Sequence, residues 1–131
     1  MAYNILVVDD STTSRKVILK ALRMTGIEIG EVHEAGNGEE ALETLRDQWI
    51  DLVLSDLNMP SMTGGELVER MAEDDLLEKT PVILITSDRN QKRLSRLVEK
   101  GARAWLNKPF HPEALRDVIL KALESLEGGR G

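Results

Sequence analysis

Ile5-Leu-Val-Val-Asp-Asp10 is an apolar run that stops at two acids, and the same arrangement recurs along the chain. Three later runs also stop at polar residues: Leu52-Val-Leu-Ser55 at Asp56, Val82-Ile-Leu-Ile85 at Thr86, and Ala104-Trp-Leu-Asn107 at Lys108. If these runs are parallel strands of one sheet, the polar side chains all project from its carboxyl edge, where open α/β sheets bind ligands. Carboxylates that need a cation, beside donors that need an anion, predict a site for a phosphoryl group and its metal.

Amphipathic stretches separate these runs, and an alternating run near 28–34 is typical of the edge strand of a sheet. Alternating strands and helices predict a parallel sheet covered on both faces. Right-handed crossovers permit few strand orders, and the order 2-1-3-4-5 places strands 1 and 3 side by side where the winding reverses. We therefore predict a doubly wound α/β fold, with a five-stranded parallel sheet and five helices. The helices are expected at about 12–25, at about 38–47, after a loop at 59–65, at about 89–100, and from Pro112 onward.

The first and fourth predicted helices carry clear boundary signals. Ser11 or Thr12 is expected to cap the first helix, and Gly26 is expected to stop it. Gly101 is expected to end the fourth helix. The helical repeat of apolar residues predicts the buried faces, which comprise Val17, Ile18, Ala21 and Leu22 in the first helix and Leu94, Leu97 and Val98 in the fourth.

Composition excludes several classes of protein. The 131 residues fit one domain, and 41% hydrophobic with 31% charged residues is typical of a globular chain. A net charge of −6 and only 3% aromatic residues argue against a nucleic-acid-binding surface. The chain has no cysteine, which rules out disulfides and thiolate metal sites. No apolar run approaches the roughly 20 residues that span a bilayer, so we expect a cytoplasmic protein without membrane contact.

The predicted sheet brings three acids together, and their mutual repulsion requires a cation. Strands 1 and 3 would place Asp9, Asp10 and Asp56 within a few ångströms of one another. Two like charges about 4 Å apart repel by about 4 kcal/mol at an effective dielectric constant of 20. Neither His33 nor His111 is expected nearby, so the ligands are oxygen atoms only, and such a site suits Mg²⁺.

The polar motifs match a known family in residue type, order and spacing. Over about residues 3–125 the chain resembles response-regulator receiver domains, which share the CheY-like, flavodoxin-like fold. The resemblance predicts a receiver domain at 1–126 followed by a flexible tail at 127–131. It is carried by Asp9-Asp10, Asp56-Leu-Asn-Met-Pro-Ser-Met-Thr-Gly-Gly-Glu-Leu67, Thr86-Ser87 and Lys108-Pro109-Phe110.

The resemblance implies a role for each of these residues. Asp56 would accept a phosphoryl group from a histidine kinase or a phosphotransfer protein. Asp10, Asp56 and the Asn58 backbone carbonyl would bind Mg²⁺, and Asp9 would act mainly through water. The phosphoryl oxygens would be bound by Lys108, Thr86 and Ser87. The domain would catalyse only its own phosphorylation and later hydrolysis, and the Lys108–Pro109 peptide would be cis.

The resemblance also implies a switch and an output surface. Thr86 would move toward the phosphoryl group, and Trp105 would swing inward behind it. The face formed by helix 4, strand 5 and helix 5 would then control a downstream protein, in chemotaxis as for the best-known single-domain members. We expect a monomer or a weak dimer. The predicted partner face is basic and suits an acidic peptide; it comprises Arg89, Lys92, Arg93 and Arg96.

Three alternatives remain at this point. A Mg²⁺-dependent phosphohydrolase of the haloacid dehalogenase type also uses an aspartate nucleophile, but its Asp-x-Asp spacing differs from Asp9-Asp10. Gly36-Asn-Gly38-Glu-Glu-Ala41 fits a dinucleotide fingerprint, although its two glutamates would repel a pyrophosphate. A receiver-like fold used only for dimerisation would not need the site residues. Taken singly, Trp105 could be ordinary packing and the basic face an ordinary solvated surface.

Overall fold

A computed structural model describes residues 2–128, with the side chains described through residue 124. The predicted strand order is confirmed, because the described residues form one parallel sheet in the order β2-β1-β3-β4-β5. Five helices alternate with the five strands. The elements are β1 (Tyr3–Val8), α1 (Thr12–Met24), β2 (Ile29–Ala35), α2 (Gly38–Asp47), β3 (Leu52–Asp56), α3 (Gly64–Glu73), β4 (Val82–Thr86), α4 (Gln91–Glu99), β5 (Ala104–Asn107) and α5 (Pro112–Gly128).

The helix boundaries follow from local hydrogen bonds. The Ser11 hydroxyl accepts a hydrogen bond from the Ser14 amide and caps α1, as one of the two predicted caps. Thr63 caps α3 in a reciprocal capping box with Glu66, so α3 begins earlier than the predicted loop allowed. Asn90 caps α4, and the predicted start at residue 89 is therefore wrong by two residues. Part of the predicted tail, 127–128, continues α5, and 129–131 lie outside the described residues.

Apolar residues of the sheet alternate between two hydrophobic clusters, one on each face. Leu6 and Val8 point toward the cluster that contains residues of α2, α3 and α4, while Ile5 and Val7 point toward the cluster formed with α1 and α5. All four side chains are fully buried. A buried aliphatic side chain contributes about 1.5–3 kcal/mol, so this double-sided burial holds the central strand in place.

Three residues on the predicted buried faces of α1 and α4 are not fully buried: Val17 is exposed, and Leu97 and Val98 are partly buried. Ile18, Ala21 and Leu22 are buried in α1 as predicted, but the side chain of Val17 is 58% exposed. Val17 lies at the border of the apolar face, beyond the reach of the sheet. Within residues 2–128, no helix combines the length and the apolar character that crossing a bilayer requires.

Candidate functional site

The carboxyl ends of β1, β3, β4 and β5 carry the predicted polar residues. Asp56 is the last residue of β3 and Thr86 the last of β4, while Asp9 and Asp10 directly follow β1. Lys108 directly follows β5. Because β1 lies beside β3 and β3 beside β4, all of these side chains lie at one edge of the sheet.

The three acids form one cluster. One carboxylate oxygen from each of Asp9, Asp10 and Asp56 lies within 4.8 Å of the others, and this cluster includes neither His33 nor His111. Asp9 is fully buried and Asp10 is exposed. The cluster therefore has one inner acid, one outer acid and Asp56 between them.

Lys108 faces two of the acids. Its Nζ lies 3.6 Å from Asp9 Oδ2 and 3.6 Å from Asp56 Oδ1, which is ion-pair distance but longer than a hydrogen bond. The Lys108–Pro109 peptide that places this side chain is cis, as the resemblance implies. One ammonium, close to two of the three clustered carboxylates, leaves the site with an excess of negative charge.

The Asp9 oxygen that faces Lys108 has an ion-pair partner but no hydrogen bond. Asp9 Oδ1 accepts a hydrogen bond of 2.9 Å from the Ser11 amide. Asp9 Oδ2 is buried and has no hydrogen-bond partner among the described residues. A buried carboxylate oxygen without a hydrogen bond is costly, and a bound cation or its water would satisfy it. The residues therefore fit Mg²⁺, which prefers oxygen ligands and retains several waters.

The electrostatic environment of Asp56 also favours a bound cation. Burial raises the pKa of the Asp56 carboxyl above its ordinary value, because desolvation penalises the charged form. The Lys108 ammonium opposes this rise in pKa, and the nearby Asp9 charge adds to it. The Asp56 carboxylate is thus held in an unfavourable state that a bound cation relieves.

The β3–α3 loop packs closely against the backbone of Asp56. The Gly64 amide donates a 2.8 Å hydrogen bond to the Leu57 carbonyl. A Cβ placed on Gly64 would lie 2.5 Å from the Asp56 carbonyl oxygen, so only glycine fits this close approach. Asn58, whose backbone carbonyl the family resemblance assigns to Mg²⁺, is an exposed residue of this loop.

Thr86 ends β4, directly before the β4–α4 loop. Its side chain is fully buried, and its hydroxyl accepts a 3.0 Å hydrogen bond from the Asp88 amide. The hydroxyl proton remains available to an acceptor. Asn107 donates from its side chain to the carbonyls of Thr86 and Asp88, at 3.3 and 2.7 Å, and so holds the loop. Ser87 is exposed.

Trp105 is partly buried. It lies in β5 opposite Leu84 of β4 and packs against the cluster that includes α3 and α4 residues. It therefore occupies the strand next to Thr86, separated from the acids by β4.

The four basic residues of the predicted partner face do not form a uniform group. All are exposed, but Arg89 precedes α4 and donates to the Lys108 carbonyl at 3.3 Å. Arg93 forms an ion pair with Asp88. Lys92 and Arg96 line a shallow depression on the outer side of α4. Among the described contacts, Lys92 and Arg96 have neither a hydrogen bond nor an ion pair from their side chains, although Glu99 lines the same depression.

The structure adds a groove that sequence reasoning missed. A cavity of about 390 Å³ lies beside Lys108, between α1 and the loop that follows β5. Its walls are largely apolar and include the exposed Val17. In the sequence, the one available signal of this groove was Val17, an apolar residue at the edge of the amphipathic face of α1. The residues lining the groove are Thr13, Ser14, Val17, Ile18, Ser87, Lys108, Pro109 and Phe110.

The residues of the dinucleotide fingerprint make other contacts in this fold. It follows β2, which is an edge strand rather than a strand at the switch point. The Gly36 amide, which would have to bind phosphate, donates 2.8 Å to the Glu40 carboxylate. Met62 packs directly over Gly38, where a Cβ would lie 2.3 Å from its sulfur. These contacts occupy the turn that a pyrophosphate would need.

Comparison with known proteins identifies relatives along nearly the whole chain. The family model for the response regulator receiver domain matches residues 5–120. The chain is 32% identical to the chemotaxis protein CheY of Pseudomonas aeruginosa over 95% of this chain and 98% of that protein. A CheY-like response regulator receiver domain protein from Methanospirillum hungatei JF-1 superposes with a TM-score of 0.83 at 26% identity, over 98% and 99% of the two chains. The chemotaxis response regulator CheY4 of Vibrio cholerae gives 0.76 at 32% identity, over 96% and 99%.

Proposed function

The chain belongs to the response regulator receiver domain family, and from that premise we propose that Asp56 accepts a phosphoryl group from a histidine kinase or a phosphotransfer protein. The observation that carries this proposal is the cluster of Asp9, Asp10 and Asp56 facing Lys108. We place the protein in the cytoplasm, where ATP-dependent kinases supply such groups.

The proposed transfer is a displacement at phosphorus. An Asp56 carboxylate oxygen attacks the phosphorus of a phosphohistidine, the phosphorus–nitrogen bond breaks, and the imidazole nitrogen takes a proton. Asp10, Asp56 and the Asn58 carbonyl, with Asp9 acting through water, would hold Mg²⁺, which would supply the positive charge that neutralises the accumulating negative charge. Lys108 pairs with a phosphoryl oxygen. Water later attacks the acyl phosphate and restores Asp56, so the domain acts on itself rather than on a diffusible substrate.

Phosphorylation adds about −1.5 to −2 charges at Asp56, and the buried Thr86 is placed to respond. The Thr86 hydroxyl donates to a phosphoryl oxygen, with Ser87 contributing from the next position. Movement of the β4–α4 loop frees space for Trp105 to turn inward. The output is then a shift between two packing arrangements of the face formed by α4, β5 and α5.

Replacing Thr86 with alanine should preserve phosphorylation of Asp56 but uncouple it from Trp105. A hydrogen bond to a charged group contributes about 1.5–3 kcal/mol, so its loss should shift the switch about 10- to 100-fold toward the resting arrangement. The measurement is Trp105 fluorescence before and after phosphorylation, in a Trp49→Phe background that removes the other tryptophan. Thr86→Ser, which keeps the hydroxyl, is the control. A full fluorescence response in Thr86→Ala would contradict the switch.

The groove beside Lys108 is the proposed docking site for the phosphodonor protein. It is largely apolar, it opens next to the site, and Val17 stands exposed on its wall. A helix that carries the phosphohistidine could bury an apolar side chain there while it presents the phosphoryl group to Asp56. A small phosphodonor has no helix to place against Val17, so its reaction should not depend on that side chain.

Val17→Glu should therefore slow phosphotransfer from a phosphorylated histidine kinase about 10-fold and leave the reaction with acetyl phosphate unchanged. An unpaired charge buried in an interface is costly, and a 10-fold slower reaction corresponds to about 1.4 kcal/mol. Val32→Glu is the matched control, because Val32 is also exposed, at 40%, and lies on the edge strand β2. Equal slowing of both reactions, or of neither, would refute docking in the groove.

The downstream partner is proposed to be a protein with an acidic peptide segment. Lys92 and Arg96 face solvent together on α4, whereas Arg93 is paired with Asp88 and Arg89 lies near Lys108. Chemotaxis is one setting for such a partner, given the names of the relatives from Pseudomonas aeruginosa and Vibrio cholerae. We propose that the domain acts as a monomer or a weak dimer.

Incubation with acetyl phosphate and Mg²⁺ tests the proposed reaction against the phosphohydrolase alternative. A receiver should form a stoichiometric acyl phosphate only when Mg²⁺ is present, and chelation with EDTA should abolish the reaction. A phosphohydrolase should instead turn over a phosphate monoester many times per protein. Sustained turnover of a monoester without accumulation of phosphoprotein would reject the receiver reaction.

A further inference from the structure

Arg15 is a largely buried cation directly behind the acid cluster. It lies in the first turn of α1, and its side chain is 17% exposed. One guanidinium nitrogen, Nη1, donates to the backbone carbonyl of Asp9. Nε donates to Glu34 Oε1 at 3.1 Å, and Nη2 donates to the Thr12 hydroxyl at 3.5 Å.

The Arg15 contact completes the fixation of Asp9. The Asp9 amide donates to the Ala35 carbonyl at 3.1 Å, and Asp9 Oδ1 accepts from Ser11. With the carbonyl bound by Arg15, both the amide and the carbonyl of Asp9 and one of its carboxylate oxygens are held. The Asp9 carbonyl belongs to the peptide bond that leads into Asp10. Its orientation therefore sets the direction in which the exposed Asp10 carboxylate projects.

A cation this close to a metal site has an electrostatic cost. A dication and a unit positive charge about 8 Å apart repel by about 1 kcal/mol even in water. Glu34 forms an ion pair with Arg15 and so cancels most of that charge, while Nη1 still donates to the Asp9 carbonyl. The pair consequently acts as a neutral hydrogen-bonding clamp.

We infer that Arg15, neutralised by Glu34, is a positioning residue that holds the Asp9–Asp10 turn in the geometry that binds Mg²⁺. This inference rests on the proposed function, because it assigns the acid cluster to that metal. Groups that orient the ligands of a metal typically change its affinity about 10- to 100-fold when they are removed. The clamp should obey this rule although it contacts no ligand oxygen.

The test is the Mg²⁺ affinity of the double variant Arg15→Met/Glu34→Gln, measured by isothermal titration calorimetry. Both charges are removed, so the net charge stays that of the wild type and only the hydrogen bonds are lost. We expect the affinity to fall about 10-fold. In phosphorylation by acetyl phosphate, the half-saturating Mg²⁺ concentration should rise by the same factor, and the rate at saturating Mg²⁺ should stay the same. A general loss of structure would lower that rate instead.

The single variant Glu34→Gln separates the effect of the Arg15 charge from the effect of its hydrogen bond to Asp9. It leaves the clamp on Asp9 but unmasks the Arg15 charge, so Mg²⁺ should bind less tightly at low ionic strength and regain affinity as salt screens the repulsion. Circular dichroism at the titration temperature verifies that each variant is folded. Double-variant affinity within twofold of the wild type would overturn the inference alone. Wild-type protein that binds no Mg²⁺ would overturn the metal site and the inference together. Phosphorylation of Asp56, which tests the proposed function, is measured separately by intact mass.

Discussion

Replacing Asp10 with alanine should lower the affinity for Mg²⁺ about 100-fold and leave the fold intact. Asp10 is exposed, so the fold loses no buried contact when its carboxylate is removed. A carboxylate oxygen and Mg²⁺ about 2.1 Å apart attract by about 4 kcal/mol even at the dielectric constant of water. Replacement of that oxygen by water recovers part of this energy, and a loss of about 2.7 kcal/mol corresponds to 100-fold.

Thermal unfolding with and without Mg²⁺ measures the effect of Asp10→Ala, because a ligand that binds only the folded state raises Tm. Without metal, the variant should unfold at or above the wild-type Tm, since one of the repelling acids is gone. With Mg²⁺ in the millimolar range, only the wild type should gain stability. Asp47→Ala, which removes an exposed acid at the end of α2, should behave as the wild type. An equal gain in Tm for Asp10→Ala would remove Asp10 from the site.

Gly64→Ala should destabilise the protein by about 2–3 kcal/mol, at the upper end of the range for overpacking. The added Cβ would lie 2.5 Å from the Asp56 carbonyl oxygen and 3.0 Å from the Leu57 Cα. Both are backbone atoms in a buried segment, so neither can move away as a flexible side chain would. Relief requires a shift of the β3–α3 junction, and that shift moves Asp56 relative to Asp10.

Denaturant unfolding of Gly64→Ala, followed by a Mg²⁺ titration of the folded variant, tests both consequences. The free energy of unfolding should fall, and Mg²⁺ affinity should fall with it. Gly36→Ala is the matched control, since the nearest atom to its Cβ would lie at an ordinary contact distance of 3.5 Å. Wild-type stability in Gly64→Ala would show that the loop behind Asp56 is looser than these distances imply.

The fold and the acid cluster were predictable because one rule governs both. In parallel sheets, strand ends that meet at the switch point bring their next residues together, so the four apolar runs located Asp9, Asp10, Asp56, Thr86 and Lys108 as soon as the strand order was known. Neither the packing of side chains between elements nor the exact helix ends follow from such a rule. They depend on which surfaces the neighbouring elements cover.

Particular residues show where sequence patterns were insufficient. Val17 fits the apolar repeat of α1, yet no neighbouring element covers that side, and it is exposed. Arg89 falls outside α4 because Asn90 caps the helix, and an asparagine at that position was a readable signal. Arg15 resembles any basic helix residue in the sequence. Its contact with the Asp9 carbonyl depends on how α1 and β2 pack, which only the tertiary structure reveals.

Intact mass spectrometry after incubation with acetyl phosphate and Mg²⁺, on the wild type beside Asp56→Asn, is the most direct test of the central claim. The wild type should gain the mass of one phosphoryl group, and Asp56→Asn, which keeps the shape of the side chain but lacks the nucleophilic carboxylate, should gain none. A wild type that gains no mass, or an Asp56→Asn variant that gains as much as the wild type, would contradict the assignment of Asp56 as the phosphoryl acceptor.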